Sequence, residues 1–501
     1  MKPLQPIMLA GTGSDVGKSI LATALCRIFL QDGYRPAPFK AQNMALNSFV
    51  TPDGLELGRA QAVQAEAAGI PCEADMNPLL LKPQNDHSSQ VVLLGRPVGN
   101  RDACDYWQRE GRERLSEEVH RAFDRLARRY NPVVLEGAGS ITELNLRETD
   151  LVNMSMARYA DARVILVADI DRGGVFASAY GSVMLQDEED RKRIKGIIVN
   201  KFRGDLRLFD RGRQMLEEIC GIPVLGVVPF LKEVHIDEED SMDLKPCGQA
   251  ATSPLSGGTL QVAVVRLPYI SNFTDFNALE RDGRLLLRYT DRAEDMVAAD
   301  VIILPGTKST IADLHWLHRT GLAGAIRQAR RAGKTVLGIC GGYQMMGMEV
   351  LDPQHVESDT ERMAGLGFLP VTTVMTGEKR TRRVTGRLLA GSADHTLEGY
   401  EIHAGETRPC EADGMRPLLR LNTGETDGYY LDERCMGTYV HGILDNAAFV
   451  DFLLRPFAGR VGERQEAPDY RTYKQQQYDL LAAHVRRHLD MERLYEILTH
   501  D

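Results

Sequence analysis

The sequence predicts an α/β protein: two doubly wound α/β domains followed by a helical C-terminal extension. Three observations carry that prediction. Short continuous apolar runs (7–10, Val133–Glu136, 162–168, 196–200 and 224–228) alternate with helical or loop stretches, the first helix being Lys18–Gln31. Such runs suit strands buried on both faces, as in a parallel sheet covered by helices. The alternation stops at 246–258, a stretch rich in Pro, Gly, Ser and Ala with no period, and restarts at Leu260–Val265, Val301–Leu304 and 336–339. A break of that composition reads as a linker. Beyond 446, Leu480, Leu481, Val485, Leu489, Leu494 and Ile497 recur at helical spacing. Domains are therefore expected at 1–245 and 259–445, with 246–258 as linker and 446–501 as an extension packed on the body.

A length of 501 residues suits that plan. With 60 Lys and Arg against 70 Asp and Glu, the net charge is −10. A chain without basic excess is poorly suited to non-specific nucleic-acid binding. Aromatics at 6% provide no base-stacking platform. No apolar run approaches the roughly 20 residues of a membrane span, and the N-terminus lacks a signal-peptide pattern. The eight Cys are scattered without a CxxC pair, which fits reduced thiols and a cytoplasmic location. The sequence carries no signature of an oligomeric state.

The first candidate site follows the first strand. Gly11, Thr12, Gly13, Gly17, Lys18 and Ser19 lie on a loop that opens a helix, the context a phosphate-binding loop requires. Backbone N–H groups can turn inward around phosphate oxygens there, aided by the helix dipole. Lys18 is expected to reach the terminal phosphates and Ser19 to ligate Mg²⁺. The usual first glycine would fall at position 12, where Thr12 stands; the observed spacing resembles the variant loop of dethiobiotin synthetase and its relatives. Glu136 ends a strand where ligands bind open α/β sheets, so it is a second candidate Mg²⁺ ligand. Asn200 and Asp205 follow another strand in a pattern resembling a base-recognition loop, with Asp205 placed to read a purine edge. Residues 168–174 bring two carboxylates and Arg172 to a Gly turn that would suit a polar substrate or a metal.

The second candidate site is a cysteine on a sharp turn. Gly338 and Gly342 flank Cys340 between a strand and a helix, the nucleophile-elbow layout with Cys in place of Ser. Gly341 N–H is placed to donate to an oxyanion, and Gly306 in an earlier strand-end turn is the expected second donor. His441, at the end of a short strand, is the favoured base over His403 and His315.

Together these motifs resemble a known family. The second half is similar to a class I glutamine amidotransferase domain. The whole chain resembles the cobalamin-biosynthesis amidotransferase family in its glutamine-hydrolysing adenosylcobyric acid synthase branch. The segments that carry this are 11–19, 40–44, 51–54, 58–66, 168–178, 200–205, 340–344 and 437–441. The resemblance implies ATP-dependent amidation of the b, d, e and g carboxylates of a corrinoid a,c-diamide, with ammonia released from glutamine. It implies ATP and Mg²⁺ at the first site, Lys40 near the substrate carboxylate, and Gln344 in the glutamine site. The acid that normally follows the base histidine is missing, since Gly442 and Ile443 come next; Glu401 is the candidate to orient His441. Two alternatives are cobyrinic acid a,c-diamide synthase and a regulatory P-loop ATPase with an inactive glutaminase-like module.

Overall fold

A computed structural model describes residues 2–83, 88–102, 109–237, 259–390, 395–411, 416–462 and 470–499. The expected linker at 246–258 lies outside the described residues. The chain forms two compact units. The first comprises Met1–Ala45, Leu55–Asp237 and Arg471–Asp501; the second comprises Leu46–Gly54 and Glu238–Tyr470.

In the first unit six strands form a parallel sheet in the order Val224–Pro229, Ile194–Phe202, Arg163–Asp169, Ile7–Gly11, Val133–Glu136, Ala37–Phe39. Ile7–Gly11 comes first in the chain yet lies inside the sheet, so the strand order reverses at it. Ligands bind open α/β sheets at such a switch point, outside the carboxyl ends of the strands. All five residues of Ile7–Gly11 are buried, which accounts for the apolar run. Lys18–Gln31 is helical as expected.

The second unit repeats the principle. Its central sheet runs Leu285–Thr290, Leu260–Val265, Val301–Leu304, Thr335–Ile339, Cys435–Thr438, Tyr429–Asp432, parallel except for the last pair. Its buried core extends over both faces of that sheet.

Two features depart from simple alternation. In the first unit Gln42–Met44, Leu79–Pro83, Ser88–Leu93 and Arg96–Asp102 make a mixed four-stranded sheet. In the second, Val371–Leu388 pairs antiparallel with Leu397–Pro409. The middle of Val371–Leu388 carries Glu378, Lys379, Arg380, Arg382 and Arg383, which hides a strand from an apolar-run search. An antiparallel ribbon tolerates those charges because it can leave one face in water.

The tail divides between the units instead of forming one extension. Ala447–Leu454 packs in the second unit's core. Tyr470–His488 and Met491–Thr499 are helices whose Leu481, Val485, Leu494 and Leu498 join the first unit's core with Leu21, Leu25, Ile28 and Phe29 of Lys18–Gln31. Arg486 pairs with Asp32 at 2.8 Å, and Tyr495 donates to the same carboxylate at 2.5 Å. The helix that opens at the phosphate loop is thus seated by the last residues of the chain. Leu481→Ala should lower the stability of the first unit by about 2–5 kcal/mol, the range for truncating a buried leucine, while the unfolding of the second unit is unchanged. Urea unfolding followed by circular dichroism checks both outcomes.

Candidate active sites

In the first unit the loop after Ile7–Gly11 turns back to start the helix at Lys18. Gly17 makes the turn with φ +96°, and a Cβ there would sit 2.1 Å from Asn200 Nδ2. Gly11 explains the unusual spacing. A Cβ at that position would lie 2.7 Å from Lys18 Nζ and within 2.9 Å of the carbonyls of Gly13 and Gly139, so position 11 is where bulk is forbidden. Thr12 instead forms an edge: its N–H donates to Val167 O at 3.0 Å, and its carbonyl accepts from Ser140 Oγ at 3.1 Å.

Lys18 curls over the loop and donates to Gly13 O and Gly139 O, both at 2.9 Å. Burial lowers its pKa to about 8 against the opposing charge of Glu136. Glu136 is a buried hub. It accepts from Ser19 Oγ at 2.7 Å and Lys40 Nζ at 2.9 Å on one oxygen, and from Gln64 Nε2 at 2.6 Å on the other. Burial works to raise its pKa, but the Lys40 charge and the three hydrogen bonds outweigh it and hold the carboxyl below its usual range. Lys40, Ser19, Lys18 and Glu136 are therefore gathered in one place. Gln64, on the helix Arg59–Ala67, completes the set without having been singled out in the sequence.

The hydroxyl of Ser19 and the carboxylate of Glu136 are hard oxygen donors side by side, the donor type Mg²⁺ prefers. Among the described residues no group of three or more His, Cys, Asp or Glu could hold a metal.

The other strand-end residues take different parts. Asn200 Nδ2 donates to Val16 O at 2.8 Å and so braces the loop from the side. Asp205 does not meet the loop: it caps the turn Leu206–Phe209 through Arg207 N–H at 3.0 Å and pairs with the Arg207 guanidinium. In the 168–174 turn, Asp169 pairs with Lys201 at 3.1 Å and Asp171 with Arg203 at 2.6 Å.

In the second unit Cys340 is a backbone outlier, with φ 52° and ψ −111° between Thr335–Ile339 and the turn of helix Gly341–Met346. Strained backbone at this position is the mark of a nucleophile elbow. A Cβ on Gly342 would lie 2.0 Å from Leu304 O, so the elbow closes only with glycine there. His441 comes to the same place from the end of Cys435–Thr438, the strand next to Thr335–Ile339. There it feels the charge of the Cys340 side chain. Gly306 lies against it, where a Cβ would be 2.8 Å from His441 Cε1. Gln344 is fully engaged by the protein: its Oε1 accepts from Thr310 Oγ1 at 2.9 Å and its Nε2 donates to Ala404 O at 2.9 Å and the Tyr439 hydroxyl at 3.2 Å.

The acid that orients His441 is Asp275. Its Oδ2 lies 2.7 Å from His441 Nδ1, and its Oδ1 accepts from Gly442 N–H at 2.9 Å. Glu401, the sequence candidate, is instead held by Arg382 at 2.5 Å. Burial works to lower the His441 pKa, but the charges of Asp275 and Cys340 and the hydrogen bond to Asp275 raise it to about 10. At neutral pH His441 is therefore an imidazolium, able to give a proton. His403 has no such support: burial lowers its pKa to about 3, and its Nδ1 is spent on Gly405 O at 3.1 Å. His315 is exposed on the helix Thr310–Arg319.

Two outcomes follow from this geometry. Gly17→Ala adds a backbone strain of about 1–3 kcal/mol and should weaken nucleotide binding roughly 5- to 150-fold by calorimetry, with glutamine hydrolysis retained. Asp275→Asn should cut the glutaminase kcat on the order of 10⁴-fold, the scale of losing the orienting acid of a triad. Because Asp275 raises the His441 pKa, the charged form and the stability it brings are complete below about 6.5 and are lost as pH rises through about 10. Residual Asp275→Asn activity should therefore lose its alkaline limb at lower pH than the parent.

Comparison with known proteins gives these sites a lineage. Residues 7–244 match the CobQ/CobB/MinD/ParA nucleotide binding domain, and residues 261–449 match the CobB/CobQ-like glutamine amidotransferase domain. The chain is 62% identical to the cobyric acid synthase of Phocaeicola vulgatus and 63% identical to that of Bacteroides fragilis, covering 99% of each chain in both cases. It is 52% identical to the cobyric acid synthase of Parabacteroides distasonis over 98% of each chain. A family model that matches each half, and relatives of this identity from end to end, show that the chain belongs to the cobyric acid synthase family of glutamine amidotransferase ligases.

Proposed function

We propose that this enzyme uses ATP and glutamine to amidate the b, d, e and g carboxylates of adenosylcobyrinic acid a,c-diamide, giving adenosylcobyric acid, and that it works in the cytoplasm. The observation that carries the reading is the pairing, in one chain, of a complete Cys340–His441–Asp275 triad with a Lys18–Ser19–Glu136 phosphate site. A regulatory ATPase with an inert second half would not keep a strained nucleophile, its base and the orienting acid together. The names of the full-length relatives favour cobyric acid synthesis over the a,c-diamide synthase alternative. No helix among the described residues is long and apolar enough to cross a membrane.

In the second unit the Cys340 sulfur attacks the side-chain amide carbon of glutamine. The N–H groups of Gly341 and Gly306 are the donors for the resulting oxyanion. His441, charged and held by Asp275, gives its proton to the departing ammonia and leaves a thioester on Cys340. It then takes a proton from the water that hydrolyses that thioester to glutamate. Gln344 holds the strand around Ala404 through its side-chain amide.

In the first unit a carboxylate is too poor an electrophile to accept ammonia directly. Attack of its oxygen on the terminal phosphoryl group of ATP gives an acyl phosphate and ADP, and ammonia then displaces phosphate. Lys18 is placed to exchange its two carbonyl partners for phosphate oxygens, and Lys40 to hold the carboxylate near Glu136. Ser19 and Glu136 would hold Mg²⁺, whose charge when bound offsets that of the phosphates.

Incubation with adenosylcobyrinic acid a,c-diamide, ATP, Mg²⁺ and glutamine should give four successive amidations by mass spectrometry. Cys340→Ala should abolish the glutamine-driven reaction and keep the ammonia-driven one. Absence of any stepwise mass change overturns the substrate assignment; loss of both reactions in Cys340→Ala overturns the division of labour.

A further inference from the structure

One stretch from the first half of the sequence, Leu46–Gly54, belongs to the second unit. Neither half-reaction uses it, yet its contacts fall on the supports of the triad. Phe49 packs edge-on against Tyr400 with ring centroids 5.0 Å apart. Tyr400 in turn stacks on the His441 ring at 5.4 Å and 21°. The backbones of Tyr400 and His441 exchange two hydrogen bonds, of 3.1 and 2.8 Å. Val50 joins Tyr400 and Ile402 in a small buried cluster, and the Ile402 carbonyl accepts from Cys340 Sγ at 3.5 Å.

The same stretch reaches the acid. Ser48 N–H donates to Asn272 Oδ1 at 3.1 Å. Asn272, at φ 53°, opens the turn Phe273–Phe276, and its carbonyl accepts from Asp275 N–H at 3.0 Å. The stretch is itself pinned. Arg383 donates to Val50 O at 3.0 Å and lays its guanidinium over the Phe49 ring at 5.0 Å. Gly54 N–H closes a turn onto Thr51 O at 3.0 Å.

We propose that Leu46–Gly54 is a positioning element of the glutaminase: Phe49 sets the His441 ring through Tyr400, and Ser48 sets Asp275 through Asn272. The proposal rests on the Cys340–His441–Asp275 reading and adds to it. His441 is gripped at Nδ1 by Asp275 and on its face by Tyr400, and both grips are braced by the same nine residues. Catalytic groups need placement to within a fraction of an ångström, which supporting residues supply.

The test compares Phe49→Ala with Phe49→Tyr, which keeps the ring, and with Asn272→Gly, which tolerates the left-handed backbone but removes the acceptor for Ser48. Glutamine hydrolysis, ammonia-driven amidation, and labelling of Cys340 by an electrophilic glutamine analogue are measured on each full chain. Phe49→Ala and Asn272→Gly should lose about 10- to 100-fold in glutaminase kcat, with KM little changed, slower labelling and intact ammonia-driven amidation. Phe49→Tyr should restore the rate. Should Phe49→Ala lose its thermal transition, Asn272→Gly decides. Parent-like kcat in the folded variants, or equal loss of both activities, overturns the proposal. Persistent glutamine hydrolysis in Cys340→Ala would instead overturn the triad reading beneath it.

Discussion

Both sites depend on one constraint, the register of parallel strands. Strands that run side by side in the same direction end together, so whatever follows each of them is delivered to a common edge. In the first unit that edge receives Gly11 with its loop, Glu136 and Asn200 from three strands of one sheet. In the second it receives Gly306, Cys340 and His441. The strands are buried hydrophobic runs, yet their ends carry the chemistry because only there does the chain leave the ladder and free its backbone to turn. Thr335–Ile339 and Cys435–Thr438 pair in register over four residues, which brings a cysteine and a histidine a hundred residues apart in sequence to the same edge.

Charge is then managed by enclosure. Glu136 and Asp275 are each almost wholly buried, at 2% exposure, and each has partners that recover the cost of leaving water. Three donors surround Glu136. Asp275 holds a ring N–H and a backbone N–H at once, which fixes both the orientation and the charge of His441. In each case the carboxylate acts through the group beside it. Glu136 organises the surroundings of Lys18 and Ser19, and Asp275 sustains the charge of His441.

The legible parts of the two sites were those with local signatures. Gly17, Lys18 and Ser19 could be read because a phosphate loop needs consecutive residues, and Cys340 could be read because an elbow needs small residues on either side. Asp275 had no such signature. It lies in a short turn 166 residues from its histidine, and only the packing of that turn against the end of Cys435–Thr438 makes it an acid of the site. Glu401 drew attention by its place in a His-containing strand, but Arg382, directly across the antiparallel ribbon, claims its carboxylate. Gln64 and the partnership of Asp205 with Arg207 were hidden for the same reason: a hydrogen bond has no spacing rule when its partners sit on different elements.

The sequence by itself determined the α/β class, the alternation of buried strands and helices, the phosphate loop and the nucleophile elbow. Each of these follows from the periodicity or backbone geometry of a few adjacent residues. Tertiary structure alone decided which carboxylate orients His441, that Lys40 pairs with Glu136, and that the last two helices seat the helix behind the phosphate loop. It also moved Leu46–Gly54 into the unit that holds the cysteine. The physical reason is one of range: periodicity and turn chemistry act within a few residues, whereas ion pairs and packing depend on which distant elements the sheets bring to a common edge.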